Sequence, residues 1–146
     1  MRQNSNNRLD QEEQSYRSIF DHAPEGIFRL TPKGKLLIAN PAMAELLGYA
    51  SADELIDQVN HHGAEIFLSA TKKQELLQRI SEGGCITNFE FEARRRDGKI
   101  LYVALNARRV EEEDGRIACF EGMLHDLTER KRVQTKLSRV SDYLHL

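Results

Sequence analysis

The chain has 146 residues, of which 40% are hydrophobic and 30% charged, and its formal net charge is −2. This length suits one domain with a flanking element at each end, and so small a net charge favours neither nucleic acid nor membrane as a partner. Cys85 and Cys119 form no CxxC pair or metal-binding spacing, and the polar N-terminus predicts no signal peptide, so we expect a cytoplasmic protein.

The first 22 residues predict a disordered start followed by an amphipathic helix. Residues 1–8 are mostly Gln, Asn, Ser and Arg and have little to bury. From residue 9 onward the apolar side chains fall on one helical stripe, which Pro24 ends. A small core cannot absorb this stripe, so we expect the helix to mediate homodimerisation and to lie beside the outer sheet face. The stripe residues are Leu9, Tyr16, Ile19 and Phe20.

Two short strands and a helix are predicted next. Residues 26–31 and 35–39 are rich in apolar and β-branched residues and flank a turn that contains Pro and Gly. Asn40 is a good N-cap residue, and Pro41 suits the first position of a helix. Gly48 is expected to end that helix.

Two further helices are predicted before the second half of the sheet. Ser51 with Glu54 three residues later predicts a capping box. Residues 59–68 predict a loop with a short turn that places Ile66 and Phe67 inward. The apolar spacing over about 70–82 predicts a longer helix that ends at two glycines.

The second half changes to the two-residue period of half-buried strands. Alternation predicts strands at residues 89–94, 101–108 and 116–127, joined by tight turns at 97–98 and 111–115. The inward positions line either a ligand pocket or a filled core, and Gly122 among them is expected to leave space for a ligand. These positions are Phe28, Leu30, Phe89, Phe91, Ala93, Val103, Leu105, Phe120, Gly122 and Leu124.

The last element, over residues 128–146, predicts a helix with a coiled-coil seam. Its apolar residues step by four, three and four positions, which is a heptad spacing that runs for about two heptads. This spacing predicts a parallel two-stranded coiled coil. The seam residues are Val133, Leu137, Val140 and Leu144.

Five strands segregated from the helices predict an α+β domain. Motifs in the same order resemble the PAS family: FDHAPEGIF (20–28), GKLLIANPA (34–42), LGY (47–49), FEFEARRRDG (89–98) and EGMLHDLTERK (121–131). The resemblance implies a five-stranded antiparallel sheet with helices on one face, a core over residues 23–127 and a signalling linker helix over 128–146. It also implies that Asp126, Leu127 and Thr128 form the signal junction. An output domain, commonly a histidine kinase or a cyclic-dinucleotide enzyme, is expected elsewhere in the parent protein.

This sequence has few of the residues that bind flavin or haem in PAS domains. Flavin-binding members carry a cysteine in a stretch that corresponds to Val59–Gly63, where there is none. Haem-binding members generally use a histidine on the long helix, and residues 70–82 contain none. His61 and His62 are expected to be exposed loop residues rather than ligands. We therefore expect no flavin, haem or metal, and any ligand to be a small apolar or amphipathic molecule.

Two readings without catalysis stay open, namely a ligand-binding sensor and a ligand-free module that dimerises and spaces its neighbours. A thiol-based hydrolytic site is excluded, because its candidate residues lie too far apart. Cys119 and His125 share a strand face but lie ~20 Å apart at the rise of a β-strand, and Asp126 points to the other face. We therefore predict that the domain is not an enzyme.

Overall fold

The computed structural model describes the backbone of residues 2–144 and the side chains of residues 7–144. Five strands form one antiparallel sheet, which confirms the α+β prediction. The elements are α1 (Arg2–His22), β1 (Gly26–Leu30), β2 (Leu36–Ala39), α2 (Pro41–Leu46), α3 (Ala52–His61), α4 (Ala70–Gly83), β3 (Cys85–Arg94), β4 (Ile100–Glu111), β5 (Ile117–Asp126) and α5 (Thr128–Leu144). The strand order in the sheet is β2-β1-β5-β4-β3.

The helix starts on the inner face follow the predicted capping chemistry. Asn40 Oδ1 accepts a hydrogen bond from the Met43 N–H at 3.0 Å, and Ser51 Oγ accepts one from the Glu54 N–H at 3.1 Å. The Glu54 carboxylate returns to the Ala50 N–H rather than to that of the N-cap residue itself. These local bonds fix where α2 and α3 begin.

Two boundaries in the structure differ from the sequence prediction. Residues 1–8 were expected to be disordered; Met1 lies outside the described residues, and α1 begins at Arg2. No Gly or Pro interrupts the sequence between Arg2 and His22, so nothing in this stretch stops a helix. The expected loop over 59–68 starts later, because α3 continues to His61. The Asn60 amide holds this last turn in place by bonding both the N–H and the C=O of Leu36.

The first and last strands are neighbours in the middle of the sheet. Phe28 of β1 lies opposite Gly122 of β5, and Gly122 in turn lies opposite Ala107 of β4. The inner face of the sheet packs against α2, α3 and α4. The most completely buried apolar side chains are Phe120, Leu47, Leu55, Leu76, Ile80, Leu124 and Val103.

The outer face of the sheet is not covered by α1 in the way that the sequence suggested. The main packing partner of α1 is α2, and on the outer face Tyr102 lies against α5 instead. Cys119 is buried, whereas Met123 remains 36% exposed. A groove of about 470 Å³ runs over this face, with Phe20 at the end of α1 and Met123 in its lining. The face therefore keeps an open apolar surface.

Candidate functional site

The predicted pocket residues come together on the inner face of the sheet. Eight of the ten are buried in one apolar cluster, namely Phe28, Phe89, Phe91, Ala93, Val103, Leu105, Phe120 and Leu124. Leu30 is half-buried at the edge of that cluster. The structure therefore brings the set together as packed side chains.

Gly122 does not leave the space that the sequence reading expected. A Cβ atom at this position would lie 2.4 Å from the backbone oxygen of Asn106, 2.9 Å from the Ala107 Cβ and 2.9 Å from the Phe28 Cζ. The ring of Phe28 and the neighbouring strand therefore occupy the volume above the glycine. The expectation is corrected: glycine is needed here because its neighbours pack too closely for any side chain.

A small cavity of about 90 Å³ lies beside the cluster, between β1, β2, α4 and the segment that follows α3. Its lining includes only Leu30 of the predicted pocket set, together with Leu36, Val59, Ala64, Glu65, Ile66, Phe67, Ala70, Lys73, Leu76, Leu77 and Gly34. Phe67 also stacks on Phe91, with 4.2 Å between the ring centroids. Sequence reasoning missed this site because residues 59–68 have no clear period.

The two adjacent histidines lie at the end of α3 rather than on a loop. His61 Nδ1 is 3.3 Å and His62 Nε2 is 3.2 Å from the two carboxylate oxygens of Asp57. Both side chains are more than half exposed, and neither lines the cavity. Among the described residues, no group of three or more His, Cys, Asp or Glu side chains is arranged to hold a metal ion.

The three predicted junction residues connect β5 to α5 without a flexible spacer. Asp126 Oδ1 accepts a hydrogen bond from the Thr128 N–H at 2.9 Å, which caps the start of α5. Thr128 Oγ1 accepts a hydrogen bond from the backbone N–H of Tyr102 at 3.1 Å, and the Leu127 N–H donates to the backbone oxygen of Tyr102 at 2.7 Å. Both backbone groups of one β4 residue therefore hold the junction.

The side chain of Tyr102 extends this attachment to α5 and β3. Lys131 Nζ lies 4.7 Å from the centre of the Tyr102 ring, and the phenol donates to Glu90 at 3.1 Å. Burial, followed by the hydrogen bond to Glu90 and the charge of Glu92, raises the pKa of Tyr102. The phenol therefore stays protonated and keeps donating to Glu90.

The apolar stripes of both terminal helices face solvent. Tyr16 of α1 is 73% exposed and Leu144 of α5 is 74% exposed. The other predicted interface residues are also exposed, except for the half-buried Phe20: Leu9, Ile19, Val133, Leu137 and Val140. Among residues 2–144, no helix has both the length and the apolar character that crossing a bilayer requires.

The family model of the PAS fold matches residues 14–127 of this chain. The chain belongs to the PAS family. PAS domains are generally sensory modules without catalysis. The match ends at Leu127, where the junction passes into α5.

Solved structures show the same fold. An RNA-binding Light-Oxygen-Voltage receptor is 22% identical with a TM-score of 0.69, and the match covers 91% of this chain but 38% of the receptor. The PAS domain of an HTR-like protein from Haloarcula marismortui is 22% identical, with a TM-score of 0.66 over 85% of this chain and 98% of that domain. A domain of a sensory box sensor histidine kinase/response regulator from Geobacter sulfurreducens is 29% identical, with a TM-score of 0.60 over 81% of this chain and 96% of that domain. This PAS domain therefore resembles those of sensor histidine kinases.

The first prediction concerns the filled core around Gly122. We expect Gly122→Ala to lower the free energy of unfolding by about 1–3 kcal/mol or more, because the new methyl group overlaps the Asn106 oxygen and the Phe28 ring. Urea denaturation followed by circular dichroism measures the change. Gly83→Ala is the matched control, since a Cβ there meets nothing within 4 Å, and it should change stability by less than about 1 kcal/mol. Equal stability of the two variants would contradict the packing described.

Proposed function

We propose that this PAS domain is the dimerising relay of a larger cytoplasmic signalling protein of bacterial type, with a histidine kinase or a cyclic-dinucleotide enzyme as its output. The observation that carries the proposal is the junction at Asp126–Thr128. No flexible residue separates the sheet from α5, and Tyr102 holds both. A movement of β4 or β5 must therefore move the start of α5.

Dimerisation is supported by the apolar surface that the domain leaves open. The stripes on α1 and α5 and the groove on the outer sheet face all expose large apolar side chains, including Ile19, Ile38 and Met123. Apolar surface of this extent usually marks an association site. We propose a homodimer in which α1 meets its counterpart or the outer sheet face of the second copy, and in which the seams of the two α5 helices pair.

A ligand-free relay fits the filled inner face, and we propose that neither flavin nor haem binds. The cavity of about 90 Å³ is well below the ~300 Å³ at which typical ligand pockets begin. It is lined mainly by apolar side chains, among them Leu30 and Leu77. The second candidate function is therefore sensing, restricted to an apolar or weakly polar molecule of a few non-hydrogen atoms.

The dimer can be tested with charge placed on the α1 stripe. Ile19→Glu puts a carboxylate into the proposed interface, and we expect the dimer dissociation constant to rise at least about tenfold, which corresponds to about 1.4 kcal/mol. Ser18→Glu adds the same charge on the opposite side of α1 and should leave the constant nearly unchanged. Sedimentation velocity over a concentration series measures both. A monomeric wild type at high micromolar concentration would sink the interface proposal.

The relay can be tested in the parent protein by lengthening α5 after Lys136. Because the seam repeats every seven residues, inserting three or four residues rotates the distal helix and should change output activity strongly. Inserting seven residues restores the rotational phase and should largely restore the output. Output that ignores insertion length would show that α5 is only a tether.

Sensing through the small cavity can be tested with short alcohols as probes. We expect titration with ethanol or 2-propanol to shift methyl resonances of Ile66 and Leu77, which line the cavity. Ala64→Leu adds three carbon atoms at the cavity wall and should abolish these shifts while preserving the fold. Shifts that survive Ala64→Leu, or that spread over the outer surface, would argue against binding in the cavity.

A further inference from the structure

Four polar groups on the outer face of the sheet form a continuous row, which is joined by two hydrogen bonds and one close histidine–carboxylate contact. The Asn88 N–H donates to Asn106 Oδ1 at 2.7 Å, and Asn106 Nδ2 lies 3.2 Å from His125 Nε2. On its other side His125 Nδ1 lies 3.2 Å from Glu25 Oε1. The row runs from the bulge in β3, across β4 and β5, to the residue just before β1.

The direction of every hydrogen bond in this row is fixed by one backbone group. An amide N–H can only donate, so the side-chain oxygen of Asn106 must face Asn88. The NH₂ group of Asn106 then faces His125 Nε2, which can accept only if it carries no proton. The remaining proton of the neutral imidazole must lie on Nδ1, which faces the Glu25 carboxylate. One tautomer of neutral His125 therefore satisfies all the partners.

A second proton on His125 breaks this arrangement. The protonated Nε2 faces the NH₂ group of Asn106, donor against donor. Turning the Asn106 amide over removes that conflict but places NH₂ against the Asn88 N–H. Meanwhile the positive imidazolium is attracted more strongly to the Glu25 carboxylate. Protonation therefore breaks the contact of His125 with the β4 and β3 side and strengthens its contact with Glu25 on the β1 side.

The charges around His125 do not oppose this second proton. Register places His125 in line with Ala104 of β4 and Glu90 of β3 on the outer face. Among the charged and titratable groups on the outer face and next to it are Glu25 before β1, Arg29 on β1, Glu90, Glu92 and Arg94 on β3, Tyr102 and Arg108 on β4, Cys119, Glu121 and Asp126 on β5, and Lys131 on α5. The acid Glu25 is in contact with the imidazole, whereas Arg29 and Arg108 are paired with Glu121 and Lys131 lies over the Tyr102 ring.

We propose that His125 is a proton-operated switch that links the two ends of the domain. His125 immediately precedes Asp126, which caps α5. The backbone oxygen of Glu25 is bonded to the Asn40 amide, which also holds the Phe20 oxygen of α1. Uptake of a proton by the imidazole tightens the link between α1 and the strand that leads into α5. This inference concerns a site other than the cavity and needs no ligand.

Nuclear magnetic resonance of the whole chain tests the switch directly. At about pH 8 we expect the ¹⁵N shifts of His125 to show the proton on Nδ1, the less common tautomer of free histidine. On acidification the Asn88 amide resonance should move with the same midpoint as the His125 ring. His61 and His62 provide internal controls, because they lie at the end of α3, away from the row.

Asn106→Asp is the matched variant, because a carboxylate still accepts from Asn88 but also accepts from a protonated His125. We expect this variant to hold the proton on His125 to a higher pH than the wild type does, and the movement of the Asn88 amide to shrink by at least about half. His125→Gln should abolish the pH-dependent movement of that amide altogether. A proton on Nε2 at about pH 8, or an Asn88 amide that is indifferent to the His125 titration, would overturn the proposal.

Discussion

The side-chain amide of Asn40 is fully buried and uses its complete hydrogen-bonding capacity. Its oxygen accepts from the Ile27 and Met43 N–H groups, and its NH₂ donates to the backbone oxygens of Phe20 and Glu25. One side chain therefore sets the end of α1, the start of β1 and the first turn of α2. Removing this side chain leaves several buried backbone polar groups without a hydrogen-bond partner, and each unpaired group costs about 1–3 kcal/mol of stability.

The pairing of the first and last strands brings the two ends of the domain together. β1 and β5 lie side by side, so α1, which precedes β1, and α5, which follows β5, are attached to adjacent strands. If another strand separated β5 from β1, the junction at Asp126 and the segment around Glu25 would not be neighbours. The topology brings residues a hundred positions apart within hydrogen-bonding distance, as Glu25 and His125 show.

Features determined by neighbouring residues were predictable from the sequence, and features determined by the sheet order were not. Asn40 and Ser51 act as N-caps because capping is a local interaction over three residues, and the heptad spacing of α5 is visible in the sequence. The role of Gly122 was misread, since alternation shows which face a residue points to but not how closely Phe28 approaches it from another strand. The cavity beside Leu77 was missed because it lies where a segment without a clear hydrophobic period meets α4.

The filled inner face also restricts how this domain can respond to a signal. A large pocket lets a ligand push the sheet from within, but side chains packed around Gly122 leave no room for such a molecule, and the adjacent cavity accommodates only a few atoms. In the proposed relay, changes that reach α5 are therefore easier to produce from the outer face or from the second copy of the proposed homodimer. The polar row from Asn88 to Glu25 and the apolar groove beside Met123 both lie on that face, close to the strands that carry α1 and α5. The proposed relay consequently places on the outer surface of the sheet the small energetic changes that act on α5.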